Sequence, residues 1–327
     1  MSHSLFFLLP LFLSLFLSIL FLRYAIPVLR KQKMGQHILA IGPTWHKSKE
    51  GTPTLGGLSF LLSVPISLFV SLASAKEPLS LPLALVLLFA LANGLIGLID
   101  DGTKLKNKAN QGLLPWQKLF LQILLTSAFL FLFDRDVYDL SSLSLPWLNV
   151  SIYFGFLSFP LLTFLIVGIV NCANLTDGID GLAGTVSFII GLFFLLEGAL
   201  QESFEVLLLG ATLSGGTLGF LFFNWNPARI FMGDTGSLFL GALVAAGSFL
   251  LKMPLLMLVY SLVFIFEGTT VVLQVVYFKI TAKRLFKMAP FHHHLEKSGW
   301  KEKQVVLIFA LFTVLCVSFA HFILMKG

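Results

Sequence analysis

The sequence predicts an all-α polytopic membrane protein with about ten transmembrane helices, and three observations predict it. Of 327 residues, 57% are hydrophobic and only 12% are charged, with a mean hydropathy of +0.92. A water-soluble domain carries about 25% charged residues. Second, about ten runs approach the roughly 20 apolar residues that a spanning helix needs. Third, if the N-terminus lies outside, eighteen of the 22 Lys and Arg fall in inner connections. Only Lys76, Arg135, Lys252 and Lys326 fall outside. That bias is the positive-inside pattern, and it places both termini outside. The net charge of +6 therefore reports topology, and nothing in it points to nucleic acid.

The elements follow in order. A run at 4–22 lacks a basic leader and a small-residue cleavage site, so it is a retained helix. An inner connection ending in GPTWHKSKEGTPTLGG leads to a run at 55–75. The outer SAKEPLS is short, and the next run, 80–99, ends in IDDGTKLKNK. A run at 117–133 is followed by the bland outer stretch FDRDVYDLSSLSLP and a run at 149–170. VNCANLTDGIDGLAG then turns the chain into 182–199, with 205–223 close behind. FNWNPARIFMGDTGS precedes 236–251, and a long run at 254–279 leads into APFHHHLEKSGWKE and the last run, 304–325. No soluble domain, low-complexity linker or internal repeat interrupts this, so residues 1–327 form one integral-membrane domain. Cys172 and Cys316 lie in or beside apolar runs with no pairing or metal-ligand pattern.

Every concentrated cluster of Asp, Asn, His and Gly lies in the inner connections, which helix packing does not require. Asp100, Asp101, Asp177, Asp180 and Asp234 sit at or just beyond helix ends. Hard divalent cations such as magnesium take oxygen ligands, commonly one or two carboxylates plus substrate phosphates. Asp177 and Asp180 share a face if their segment is helical. A helix cap or a lysine partner is the alternative for any single acid. TPTLGG (52–57) and GDTGS (233–237) join loops to helix starts, where backbone N–H groups favour anions. Lys49, Lys104 and Lys118 are placed to neutralise phosphates, although inner-loop lysines also serve topology alone. The HHH triplet, His292 to His294, suits phosphate hydrogen bonding near neutral pH better than zinc. Glu267 and Gln274 are two helical turns apart within an apolar run. An intramembrane carboxyl is a functional candidate by default, with a buried packing hydrogen bond as its rival.

In this order and spacing, IDD, NLTDGIDGLAG, NWNPARIFMGDTGS and PFHHHLE resemble the polyprenyl-phosphate N-acetylhexosamine-1-phosphate transferases across nearly the whole chain. GTPTLGG and HHHLEKSGW are most similar to the branch whose donor is UDP-MurNAc-pentapeptide; Ile179 stands where that pattern has Leu. The resemblance implies a magnesium-dependent transfer of phospho-MurNAc-pentapeptide to undecaprenyl phosphate, giving lipid I and UMP in peptidoglycan synthesis. It also implies a homodimer in the bacterial inner membrane, with its site at the cytoplasmic face. Its catalytic set would be Asp100, Asp101, Asp234 and His293, with Asp100 as base or nucleophile orienter and Asp101 supporting it. Asp234, with Asp100, would hold the metal. Asn174, Asp177 and Asp180 would line the nucleotide site, with Phe231 stacking near uracil. Lys49, Thr54, Lys104, Lys118, Asn224 and Gln274 would add substrate contacts. His292 and His294 would meet the diphosphate or the sugar-peptide. The nearer alternative is a transferase that uses UDP-GlcNAc. A transporter is the more distant one, but transporters bind near the midplane on broken helices, not at helix ends on one face.

Overall fold

A segment crossing hydrocarbon must satisfy its backbone internally, and the apolar runs do so as helices. The computed structural model describes residues 8–32, 49–107, 112–145, 148 and 150–326. Residues 1–7 of the first run, the first inner connection through Ser48 with Lys33 and Lys47, and Lys108 lie outside the described residues. Among the described residues, ten helices are long and apolar enough to cross a membrane. They are α1 (Leu8–Lys31), α2 (Leu58–Ala75), α3 (Leu81–Asn107), α4 (Pro115–Asp136), α5 (Ser158–Thr176), α6 (Leu182–Leu200), α7 (Phe204–Asn224), α8 (Gly233–Leu250), α10 (Leu262–Thr281) and α12 (Glu302–Lys326). Two short helices, α9 (Met257–Tyr260) and α11 (Phe291–Lys297), complete the set.

Three boundaries differ from the sequence reading, each for a physical reason. α3 continues past residue 99 to Asn107, so Asp100 and Asp101 lie within the helix and not at its end. Hydropathy stops at the first charge. The helix does not, because Asp100 pairs with Lys104 one turn on, and Lys104 and Lys106 suit the negative end of the helix dipole. The fifth span starts at Ser158, not 149, because the preceding chain is a hairpin. Ser142–Leu145 (β1) pairs antiparallel with Val150–Tyr153 (β2), Ser142 opposite Tyr153. SLSL and VSIY alternate with period two, the strand signature. The predicted run 254–279 is broken into a 3-10 turn, α9 and α10, with Ser261 between the last two. Such a break survives only where protein surrounds it, and Met257 and Tyr260 are fully buried, the Tyr260 hydroxyl donating to Val244 O at 2.7 Å.

α7 and α8 form the centre. Of their spanning windows 89% is buried, against 22% for α1. Phe89 of α3 stacks on Phe129 of α4, and Phe129 and Phe133 meet Phe249 of α8 edge to face, at one end of the bundle near the hairpin. At the other end α3 meets α8 almost backbone to backbone. A Cβ on Gly97 would lie 2.2 Å from Asp234 O. The start of α2 does the same, since a Cβ on Gly57 would lie 2.1 Å from Gly236 N. One turn beyond Gly97, α3 carries Asp100 and Asp101. Glycine packing thus sets those two carboxylates against the start of α8.

Candidate active site

The three acids that converge are Asp100, Asp101 and Asp234, whose nearest oxygens lie within 4.8 Å of one another. They have different surroundings. Asp101 is buried and accepts from Thr235 N at 2.9 Å, Thr235 Oγ1 at 2.7 Å and Asp234 N at 3.2 Å. It caps α8 from another helix, offering an anion to N–H groups that have no partner within the helix. Gly233, with φ +69°, feeds the chain into this cap; a Cβ there would meet Asp101 Oδ2 at 2.5 Å and Thr54 Oγ1 at 2.9 Å.

Asp234 is the second residue of α8, and its carboxylate caps nothing. Its Oδ2 receives Lys104 Nζ at 3.0 Å and Lys118 Nζ at 2.8 Å, and its Oδ1 receives Asn174 Nδ2 at 2.8 Å. Asn174 also donates to Ser237 Oγ at 2.7 Å. Asp100 accepts from Leu113 N through Oδ1 at 2.7 Å, while Oδ2 lies 2.6 Å from Lys104 Nζ. The chain at Gly112 closes over it, leaving no room for a side chain, since a Cβ would sit 2.4 Å from Oδ1. Three carboxylates therefore face two ammonium groups. Asp177, the C-cap of α5, donates its backbone N–H to Asn174 O at 3.3 Å and adds a fourth acid whose carboxylate has no hydrogen-bond partner among the described residues. Burial, then the negative charges of Asp234, Asp101 and Asp180, hold its carboxyl well above the usual carboxylate range. The centre is short of positive charge.

Asp180 does not share a helical face with Asp177, because residues 177–181 form a turn. It belongs to a second cluster. Its Oδ1 lies 2.7 Å from Lys49 Nζ, and its Oδ2 accepts from Ala228 N at 2.9 Å and Asn226 Nδ2 at 3.2 Å. Glu302, at the start of α12, completes the cluster at 2.7 Å from Lys49 Nζ. Lys49 is thus held by two carboxylates, apart from Lys104 and Lys118. Asn224 uses both ends of its amide on backbone, accepting from Gly181 N and donating to Ile230 O. Phe231 is half-buried, its N–H donating to Pro53 O and its carbonyl accepting from Gly56 N, each at 2.8 Å. TPTLGG and RIFMGDTGS are therefore laced together by backbone bonds.

The three histidines go three ways. His292 is fully buried; Glu267 accepts from its backbone N at 3.1 Å and pairs with its Nδ1 at 3.0 Å. Its Nε2 presses on the α5–α6 turn, 2.2 Å from where a Cβ on Gly178 would lie. His293 Nδ1 pairs with Glu296 at 2.7 Å. His294 stacks on Phe291 and accepts from Lys287 N at 3.1 Å. Gln274, on the same face of α10 as Glu267, accepts from Phe286 N at 2.8 Å and fixes the segment leading to α11. Sequence reasoning missed Glu302 and Glu296. Glu302 opens the last span, where an acid reads as an ordinary helix start, and its partner Lys49 is 253 residues away.

Comparison with known proteins bears on this geometry. Residues 83–252 match the family described as glycosyl transferase family 4. The phospho-N-acetylmuramoyl-pentapeptide-transferase of Clostridium perfringens (strain 13 / Type A) is 40% identical over 290 residues, 88% of this chain and 89% of the relative. The protein of that name from Halalkalibacterium halodurans is 42% identical over 304 residues, 92% of each chain. That from Heliobacterium modesticaldum is 43% identical over 290 residues, 88% of each.

Proposed function

The chain belongs to glycosyl transferase family 4 and, within it, to the phospho-N-acetylmuramoyl-pentapeptide-transferases, and from that membership we propose the reaction it performs. It moves phospho-MurNAc-pentapeptide from UDP-MurNAc-pentapeptide to undecaprenyl phosphate, yielding lipid I and UMP for peptidoglycan synthesis. The observation that carries the reading is the meeting of Asp100, Asp234, Lys104 and Lys118 where α3, α4 and α8 end on one side of the bundle. A soluble diphosphate and a lipid phosphate can meet only where water meets the bilayer. The charge bias of the connections supports a cytoplasmic site in the bacterial inner membrane. A single domain over 1–327 and a homodimer complete the proposal, the latter on resemblance alone.

In the reaction an oxygen of the lipid phosphate attacks the phosphorus attached to the sugar. A new P–O bond forms, the bond to the UMP phosphate breaks, and UMP leaves with the electron pair. Phosphoryl transfer asks a protein mainly for positioning and charge neutralisation. The acceptor monoester has its second pKa near ~6, so much of it is already dianionic at neutral pH. Asp100 has one oxygen tied to Leu113 N–H, which leaves Oδ2 to orient the acceptor or take its remaining proton. Asn174 holds Asp234 by one oxygen and leaves the other toward Lys104 and Lys118. Those lysines, released from the carboxylates, neutralise the diphosphate. Asp177 borders this end through its charge interaction with Asp234 and Asp101, and His293 and His294 would meet the diphosphate or the sugar-peptide.

Mg2+ fits the donor set. Asp100 and Asp234 each turn an oxygen to one spot, a spot that draws the Lys104 ammonium, and the surrounding charge is negative. Asp101 is committed to α8. When bound, the cation screens the diphosphate and stabilises charge on the leaving phosphate. The Lys49–Asp180 cluster, with Asn224 bound to the same turn, forms the nucleotide end, to which Phe231, Thr54 and Gln274 would add contacts. Lys49 between two carboxylates has no spare charge for phosphate and suits a neutral polar base. Purified protein given undecaprenyl phosphate and Mg2+ should release UMP from UDP-MurNAc-pentapeptide and not from UDP-GlcNAc, and EDTA should stop it. Release from UDP-GlcNAc alone would favour the alternative donor.

A further inference from the structure

We propose that Glu302 is a positioning residue of the donor site, acting through Lys49 and the Asp177–Gly181 turn; this rests on the reading of that cluster as the nucleotide end. An acid in the first turn of a helix ordinarily serves the helix dipole. This carboxylate reaches beyond its own helix to three other segments. It meets Lys49 Nζ at 2.7 Å, Asp180 N at 3.3 Å and Asn226 Nδ2 at 3.2 Å. One side chain thereby ties α12 to the segment before α2, to the α5–α6 turn and to the α7–α8 connection.

The consequence for Lys49 is geometric. An ammonium has three donors, and a lysine stem free to move spreads over many rotamers. Asp180 and Glu302 take two of those donors from two directions, and both carboxylates are largely buried, their side chains 1% and 14% exposed. The third N–H is then fixed in direction. Asp180 alone leaves the ammonium free to swing about one contact. Glu302 also holds the backbone N–H of Asp180, so the turn and the lysine are set by the same group. Charge bookkeeping agrees. Two acids on one lysine give a site that recognises by direction and not by attraction.

The experiment compares Glu302→Gln, Lys49→Met and the double variant, measuring KM for each substrate, kcat and the thermal midpoint. Glu302→Gln should raise the donor KM about tenfold, the scale of one charge-assisted hydrogen bond. It should leave kcat within about twofold and the acceptor KM unchanged. In the Lys49→Met background the same change should add little, because the two act as one unit. Glu302→Asp, which keeps the charge on a shorter stem, should fall between parent and Glu302→Gln. A role in α12 stability alone would lower the thermal midpoint with donor KM unmoved, and that result overturns the proposal. Full additivity with Lys49→Met overturns it, as does failure of both Glu302 variants to fold. Failure of the underlying reading looks different: the parent itself would show no saturable dependence of UMP release on the donor.

Discussion

Asp100 and Asp101 are neighbours in the chain with different tasks. Asp101 holds the start of α8, and in the proposed reaction Asp100 would face the reacting phosphates. Asp101→Ala should therefore cost about 1–2 kcal/mol of stability, the value of a lost helix cap, seen as a lower thermal midpoint. Asp234 is the converse case. Its carboxylate caps no backbone, so Asp234→Asn should leave the midpoint nearly unchanged and lower turnover about a hundredfold or more; substantial turnover by that variant would remove Asp234 from the metal. Asp177 gives a pH-dependent expectation. Its unfolded carboxyl titrates near 3.8 and its folded one higher, so the folded state binds more protons across that interval. Stability of the EDTA-treated protein then falls as pH rises from about 4 through the folded pKa. Asp177→Asn removes that loss. The variant should match the parent near pH 4, exceed it in thermal midpoint by a margin that grows toward neutrality, and turn over more slowly. A variant less stable than the parent at pH 8 would mean that the carboxylate is stabilised there. The acids themselves were legible in the sequence, because five on one side of a membrane need an explanation. Their division of labour was not. Asp101 and its acceptor-seeking partner Thr235 are 134 residues apart, and no local pattern records that pairing.

At the scale of elements, the spans were legible because a bilayer imposes length and composition together. What hydropathy could not register was the continuation of α3 beyond the apolar run, the period-two hairpin, and the break at Ser261. The α3–α8 contact decides the site, and it admits a paired test. Gly97→Ala would place a methyl 2.2 Å from Asp234 O, forcing α3 off α8. A loss of about 1–3 kcal/mol is expected for such overpacking, together with most of the activity. Gly102→Ala on the same helix meets nothing within 4 Å. Alanine is the better helix former there by up to about 1 kcal/mol, so this variant should keep its activity and lose no stability. Equal damage from both substitutions would mean that helix α3 tolerates no change, and that the close approach is not special.

For the whole molecule, the bundle divides into an aromatic, hairpin-capped end and an end that gathers acids, lysines and histidines from segments distant in sequence. In the proposed reaction the lipid phosphate attacks directly, with Asp100 orienting it and no covalent bond to the protein. Asp100 is enclosed by Leu113 N–H, Gly112 and Lys104, an arrangement for holding a group in place and not for in-line attack by the carboxylate. Isotopic exchange tests this most directly. Labelled UMP is incubated with the purified protein, Mg2+ and UDP-MurNAc-pentapeptide, with and without the polyprenyl-linked product, and label in the donor is measured. Direct attack predicts label in the donor only when the lipid product is present, since only its diphosphate can be reopened by UMP. Label entering the donor in lipid-free protein would require a phosphosugar carried on the chain, and would rule out direct attack.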